Sequence, residues 1–392
     1  MTAPPAVAEP QGGDVYGYIE NPEMTGEGQE PHHAFLRPYA DTHAATRDDE
    51  RSPYARSLNG EWRIAMADLP EHVPTGFYAD GYDTSSWRKV RVPHTWQTDG
   101  LDHPIFRNIA TEIQPDDPPR VPKDINPTGA YTRDFDVPAN WTKQATFLRF
   151  EGVTSGYFVW VNGRYIGYDQ GGYTPAEFDI SAALRPGHNR LAVQVHRWTA
   201  GAYLEDYDQW RYAGIFRDVN IYTTPRTYVE DVTLRTDLDA TYTDATLTAA
   251  VELGHNGGAT GKHRVTASLR DSRGREVGRT STDVSVNAPT RTQLTMPVRN
   301  PAKWTDETPN LYTVVFTLTV VFTASPDVVI SPPANLVFPS QLLWMLTRVS
   351  SAVDIASTRS ASTFACSRVR SGASAAPGES NKERGLIGAS RC

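Results

Sequence analysis

The sequence predicts an all-β chain: two β-sandwiches in succession, the first a sandwich or jelly roll and the second immunoglobulin-like, then a C-terminal tail expected to be disordered. Three observations predict this. Apolar residues alternate with a period of two along most of the chain as far as Val320. No long stretch carries a helical period. Gly, Pro and Asn punctuate the alternating runs at short intervals, as turns between short strands require.

Along the chain, residues 1–49 are rich in Pro, Glu and His and read as an extended arm that must lie on another surface. Residues 50–225 read as the first sandwich. Thr146–Phe150 and Ser155–Val161 alternate, and Asn162-Gly163 then supplies a two-residue type I′ hairpin turn before Arg164–Tyr168. Leu191, Val193 and Val195 alternate with Ala192, Gln194 and His196, and Ile215–Tyr222 reads as one further strand. A boundary falls at Thr223-Thr224-Pro225. Residues 226–319 follow with strands expected at Val229–Arg235, Thr246–Leu253, Arg264–Arg270, Arg275–Val286, Thr290–Val298 and Tyr312–Leu318. That number of short, regularly spaced strands suits an immunoglobulin-like sandwich, although no Cys-Trp-Cys pattern is present.

Residues 320–392 differ in kind. Ten serines occur from the start to Phe322, and thirteen crowd into the much shorter stretch from Thr323 to the end. The charge balance changes from −11 to +3 across the same point. Both cysteines, Cys366 and Cys392, lie in this tail. A disordered extension and a change of reading frame near Val320 both account for such a break.

Composition excludes several functions. The chain has 392 residues and a net charge of −8, with no basic tract beyond a weak one at the C-terminus, so neither nucleic acid nor an anionic membrane is expected as a partner. No apolar run is long enough to span a bilayer. The start, Met1 to Pro10, carries no secretory pattern, and a cytoplasmic location is expected. Two cysteines exclude a disulfide framework.

Two loops concentrate chemistry. Tyr203–Arg217 packs three carboxylates, five aromatics and two arginines into one short segment. Carboxylates beside aromatic faces suit a sugar or a hard cation, and a structural ion-pair cluster is the plainer alternative. Trp96–Ile109 is a long polar and aromatic loop of the kind that carries binding on a rigid scaffold, or else an ordinary surface connection. Other candidates fail. His32-His33 points to opposite sides of an extended chain. Gly257–Lys262 lacks the phosphate-loop spacing and precedes His263 rather than Ser or Thr. No G-x-S-x-G or H-E-x-x-H occurs.

Several stretches in order carry a resemblance: Glu20-Asn21-Pro22, Ser57-Leu58-Asn59-Gly60-Glu61-Trp62, Val92-Pro93-His94-Thr95-Trp96, Asn126-Pro127-Thr128-Gly129-Ala130-Tyr131, Phe158-Val159-Trp160-Val161-Asn162-Gly163, the Tyr203–Val219 block and Pro309-Asn310-Leu311-Tyr312. Together, from about residue 14 to 319, they resemble the N-terminal part of β-galactosidases of glycoside hydrolase family 2. The resemblance implies that residues 50–225 are a jelly-roll sugar-binding domain. It implies that Asn108, with Ile109 beside it, and Asp208 contribute to a galactose site, and that Asp208 also ligates a sodium ion. It implies that the N-terminal arm braces a subunit contact in a homo-oligomer. Tyr18 and Ile19 stand where the family often has an Asp–Trp pair.

Such enzymes cleave terminal β-D-galactosides, lactose among them, with retention, which requires two carboxyl groups about 5–5.5 Å apart. By resemblance that pair and the magnesium ligands belong to a (β/α)₈ barrel of about 250 residues. From Thr323 onward the chain offers only Asp327, Asp354, Glu379 and Glu383. The expectation is therefore a chain that supplies part of a sugar site and no catalytic residue. The resemblance stops in mid-strand, which favours the change of reading frame. A free-standing carbohydrate-binding module and a fragment that complements a separate barrel are the alternatives. Glucuronidase-like or mannosidase-like specificity is the near alternative within the family.

Overall fold

The structure is a computed structural model, and it describes residues 15–47, 52–106, 113, 115–205, 208–257 and 260–321, with the backbone of 343–344. Its regular structure is almost all β, as expected. The first domain is a sandwich of two antiparallel sheets. The larger has seven strands in the order Gly26–Glu27, Arg164–Asp169, Gly156–Val161, Gly187–His196, Thr128–Val137, Gly60–Ala67 and Arg88–Val92. The smaller has Ala176–Asp179, Ala145–Phe150, Val219–Thr224 and Ala55–Ser57.

The alternation in sequence is used on both faces of each sheet. In Gly156–Val161, Tyr157, Val159 and Val161 enter the core between the sheets, with Trp62, Tyr131 and Leu191. Phe158 and Trp160 point the other way and are buried too, under Ile19 and Phe77. In Ala145–Phe150, Leu148 and Phe150 face the same inter-sheet core. Ala145 and Phe147 face the second domain and share its core with Val251, Leu253 and Phe316. Both strands are consequently buried at every position. At the Asn162-Gly163 hairpin both residues take positive φ, 53° and 79°, as a type I′ turn demands.

The arm lies on its own chain. Tyr18 meets Phe158 and Tyr168 edge-on at 5.2 Å. Gly26 and Glu27 pair with Asp169 and Tyr168 at the sheet edge. The Glu30 N–H donates to the Glu177 carbonyl at 2.8 Å, and the Ala34 N–H donates to Asp231 of the second domain at 2.9 Å. Among the described residues, α-helix is confined to three short segments, Val15–Ile19, Thr42–Thr46 and Ala200–Leu204. No described helix is long and apolar enough to cross a membrane.

The second domain packs Thr227–Leu238, Ala245–His255 and Thr290–Val298 against Glu276–Val286, Gly261–Arg270 and Thr313–Val320. Its closing strand runs to Val320, which pairs with His263. The tail expected from residue 320 on begins one residue too early, since Val320 belongs to this strand; from Phe322 onward it lies outside the described residues, apart from Leu343–Trp344, whose backbone pairs with Pro38–Tyr39.

One expected strand divides. Ile215–Tyr222 is two pieces, Gly214–Ile215 paired with Val153–Thr154, and Val219–Thr224 paired with Ala145–Phe150. Between them Arg217 turns outward, donating from Nη1 to the Tyr173 carbonyl at 2.9 Å. The chain thereby leaves one ladder and enters the next.

Candidate functional site

The two loops singled out from sequence meet. Ile105–Phe106 and Trp210–Arg211 form a short antiparallel ladder, with Trp210 opposite Phe106 and Arg211 opposite Ile105. Three further hydrogen bonds extend the seam inward. His94 N–H donates to the Ile215 carbonyl and Trp96 N–H to the Ala213 carbonyl, both at 2.9 Å. The Gln97 side chain accepts the Ala213 N–H at 3.0 Å.

Under the first loop lies a buried polar frame. Trp96 is fully buried, and its indole N–H donates to the Tyr131 hydroxyl. His94 lies 2.9 Å from that hydroxyl through Nε2 and 2.7 Å from Asp99 through Nδ1. Burial holds His94 below the ordinary imidazole range, against the pull of Asp99. A neutral ring that donates from Nδ1 to Asp99 and accepts the Tyr131 O–H at Nε2 satisfies every group in the chain. Further along, the buried Arg197 pairs with Asp102. Asp102 also accepts the Gln97 amide N–H at 3.0 Å, and Arg197 reaches the His103 carbonyl at 3.3 Å. Arg197 and Tyr131 are far in sequence from the loop they support, so no local pattern announces them.

The seam presents an aromatic face. Phe106 and Trp210 are about half exposed, with ring centroids 5.5 Å apart, and Tyr212 lies nearly parallel to Trp210. Asp208 is exposed, just before the Trp210 ladder. Asn108 and Ile109 lie outside the described residues, two and three positions beyond Phe106.

Beside the seam is a cleft lined by Thr154, Ser155, Tyr173, Arg197, Glu205 and Arg211, among others. Glu205 is one of the three carboxylates of the second loop, and sequence reasoning gives it no role of its own. Its Oε2 is buried with no hydrogen-bond partner among the described residues. A Cβ on Gly172 would lie 3.0 Å from that oxygen, so the bare glycine permits the approach. Burial first, and then the charge of Asp169, push the Glu205 carboxyl up to about 7. Its backbone carbonyl accepts Arg211 Nη1 at 2.5 Å, which ties the loop to the ladder.

A cation is less well provided for. Asp208 offers an exposed carboxylate, and the described residues include no group of three or more His, Cys, Asp or Glu side chains able to hold a metal ion.

Residues 55–225 match the model of the glycosyl hydrolases family 2 sugar binding domain, and residues 227–324 match a second model of glycosyl hydrolases family 2. The chain belongs to glycosyl hydrolase family 2. A β-galactosidase from Priestia megaterium is 36% identical over 312 residues, covering 77% of this chain and 30% of that relative. One from Enterobacter cloacae is 40% identical over 304 residues, covering 76% and 29%. This family 2 chain thus spans about 30% of the length of the curated relatives it matches. Among solved structures, a β-glucuronidase from Bacteroides uniformis superposes with a TM-score of 0.56 at 22% identity, covering 76% of this chain and 32% of that one. A β-glycosidase from Bacteroides vulgatus gives 0.54 at 22% identity, covering 68% and 32%. At such identities these two show the shared fold.

Proposed function

We propose that this chain is the sugar-binding part of a retaining β-galactosidase, that it contacts the terminal β-D-galactose of substrates such as lactose through Asn108, Ile109 and Asp208, and that this chain alone hydrolyses no galactoside. The observation that most supports the reading is the ladder joining Phe106 to Trp210, which brings both sequence-nominated loops to one rim. Relatives named β-galactosidase, at 36% and 40% identity, favour galactose over glucuronic acid or mannose. For the missing hydrolysis the support is chemical. Retention needs two carboxyl groups about 5–5.5 Å apart. Among the described residues that line the cleft, Glu205 is the single carboxylate.

Nitrophenyl-galactoside turnover by the purified chain tests the catalytic half, and the expected rate is indistinguishable from background. A rate well above it sinks that half. Galactose calorimetry tests the binding half, with weak affinity expected because one domain supplies only some of the contacts. Homo-oligomerisation through the arm and a cytoplasmic location belong to the same proposal. Light scattering on the purified chain checks the first, and fractionation of the source cells checks the second.

A further inference from the structure

A second cleft lies in the immunoglobulin-like sandwich. It sits between the Asp271–Arg275 hairpin turn and the two segments around Arg299 and Leu311, with a volume of about 400 Å³. That is within the range of small-ligand sites, about 300–1,000 Å³. Arg273, Arg275 and Arg299 line it, and Asp271 is the one carboxylate among the described lining residues.

The charges do not cancel. Asp271 is already engaged: it accepts the backbone N–H groups of Arg273 and Arg275 at 2.9 and 3.0 Å, and Arg275 Nε at 2.8 Å. The hydrogen bond from Arg275 holds its carboxyl below the usual range. Nearby Arg279 is tied to Glu276 at 2.6 and 2.9 Å. The guanidinium groups of Arg273 and Arg299 have no ion-pair or hydrogen-bond partner among the described residues. Among the lining residues, three guanidinium groups against one carboxylate leave a surplus of two positive charges, on a chain whose net charge is −8.

An apolar surface adjoins these cations. Val277 is 43% exposed, and Leu311 also lines the cleft. The rim is held in place. Asn300 takes a left-handed φ of 39° and donates its N–H to Asp244 at 2.8 Å, and the Tyr312 hydroxyl accepts the Ala302 N–H at 2.8 Å. We infer that this cleft is a binding site for a small organic phosphate, with its oxyanion between Arg273 and Arg299 and its apolar body on Val277 and Leu311. Guanidinium forks match phosphate oxygens in geometry and charge. The cleft's size favours a small molecule over a macromolecular partner.

The test is calorimetry on the intact chain with phenyl phosphate, inorganic phosphate and phenol. Phenyl phosphate should bind saturably at millimolar concentrations and more tightly than inorganic phosphate, while phenol should not bind. Combining Arg273→Gln with Arg299→Gln should weaken phenyl phosphate at least about tenfold. Arg279→Gln, which removes an equal but paired charge, should leave it unchanged. No saturable binding overturns the inference, as does an equal loss in Arg279→Gln. An acidic peptide that binds where phosphate does not overturns it in favour of a macromolecular partner. A side-chain NMR titration of the unmodified chain removes dependence on the variants. Arg273 and Arg299 Nε–H signals should shift with phosphate, and unshifted signals reject the site.

Discussion

Phe106 and Trp210 lie opposite each other across a short antiparallel ladder, 104 positions apart in sequence, with ring centroids at 5.5 Å. The pairing brings two long loops to one rim, where the proposed sugar site lies. Its rigidity comes from beneath: Trp96, Tyr131 and His94 close one hydrogen-bonded chain, and Arg197 with Asp102 closes another.

The seam depends on a glycine. Gly214 sits at φ +117°, and an added Cβ would lie 3.2 Å from both the His94 carbonyl and the Trp96 ring. Gly214→Ala therefore combines backbone strain with a close contact in a packed region. We expect a loss of about 1–3 kcal/mol of stability in denaturant titration. Galactose affinity should fall with it, because both loops lose their common anchor. A melting curve superimposable on that of the unaltered chain would show that the seam tolerates a side chain.

Asp208 separates binding from folding. It is exposed, and surface substitutions of that kind usually stay within about 0.5 kcal/mol. Asp208→Ala should leave the denaturation midpoint in place while galactose affinity drops, since an oxygen acceptor for a sugar hydroxyl is lost. An unchanged calorimetric titration would remove Asp208 from the proposed site.

Legibility in the sequence followed the range of the interactions. Thr290–Val298 alternates regularly and one face is solvated, so its period of two marks it without error in bounds. Thr128–Val137 begins with a run of consecutive buried positions, because the arm side covers one face and the sandwich core the other; no alternation advertises that first half. The loops rich in carboxylates and aromatics were visible as local composition. The ladder between them, the His94–Tyr131 contact and the Arg197–Asp102 pair were not, since they join residues 37 or more positions apart. Ile215–Tyr222 misled for the opposite reason: an apolar rhythm interrupted only at Arg217-Asp218 conceals a change of ladder.

Glu177 is the expected weak point of the domain junction. Its buried carboxylate accepts the Tyr222 hydroxyl at 2.6 Å, meets His33 of the arm at 2.9 Å, and lies 3.5 Å from Arg149. Glu177→Ala strands a buried hydroxyl and loosens the arm. Breaking a buried pair typically costs about 3–5 kcal/mol. The low end applies, because Arg149 keeps Glu151 at 2.8 Å. Limited proteolysis should cut within the arm sooner than in the unaltered chain. Equal cleavage rates would mean that the Glu177 side chain does not hold the arm, which its backbone pairing and its apolar contacts on Phe158 and Tyr168 then secure.

Glu205 should leave a signature in the pH dependence of stability. Burial raises its carboxyl from an ordinary 4.5 to about 7. Between those two values the folded chain binds a proton that the unfolded chain has released. Stability from this group is therefore full below the ordinary value, declines as pH rises, and is lost once pH passes about 7. A glutamine keeps the shape and never ionises, so Glu205→Gln removes that decline. Relative to the unaltered chain, the variant should gain little at pH 5 and more at pH 8, with the difference growing between. Gly172 offers the complementary measurement. Its missing side chain admits the carboxylate, so Gly172→Ala crowds Glu205 Oε2 directly. Adding that substitution to Glu205→Gln should cost less at pH 8 than adding it alone, because the crowded charge is already gone. Two parallel stability profiles for Glu205→Gln and the unaltered chain, from pH 5 to 8, would place Glu205 in contact with water and out of the cleft.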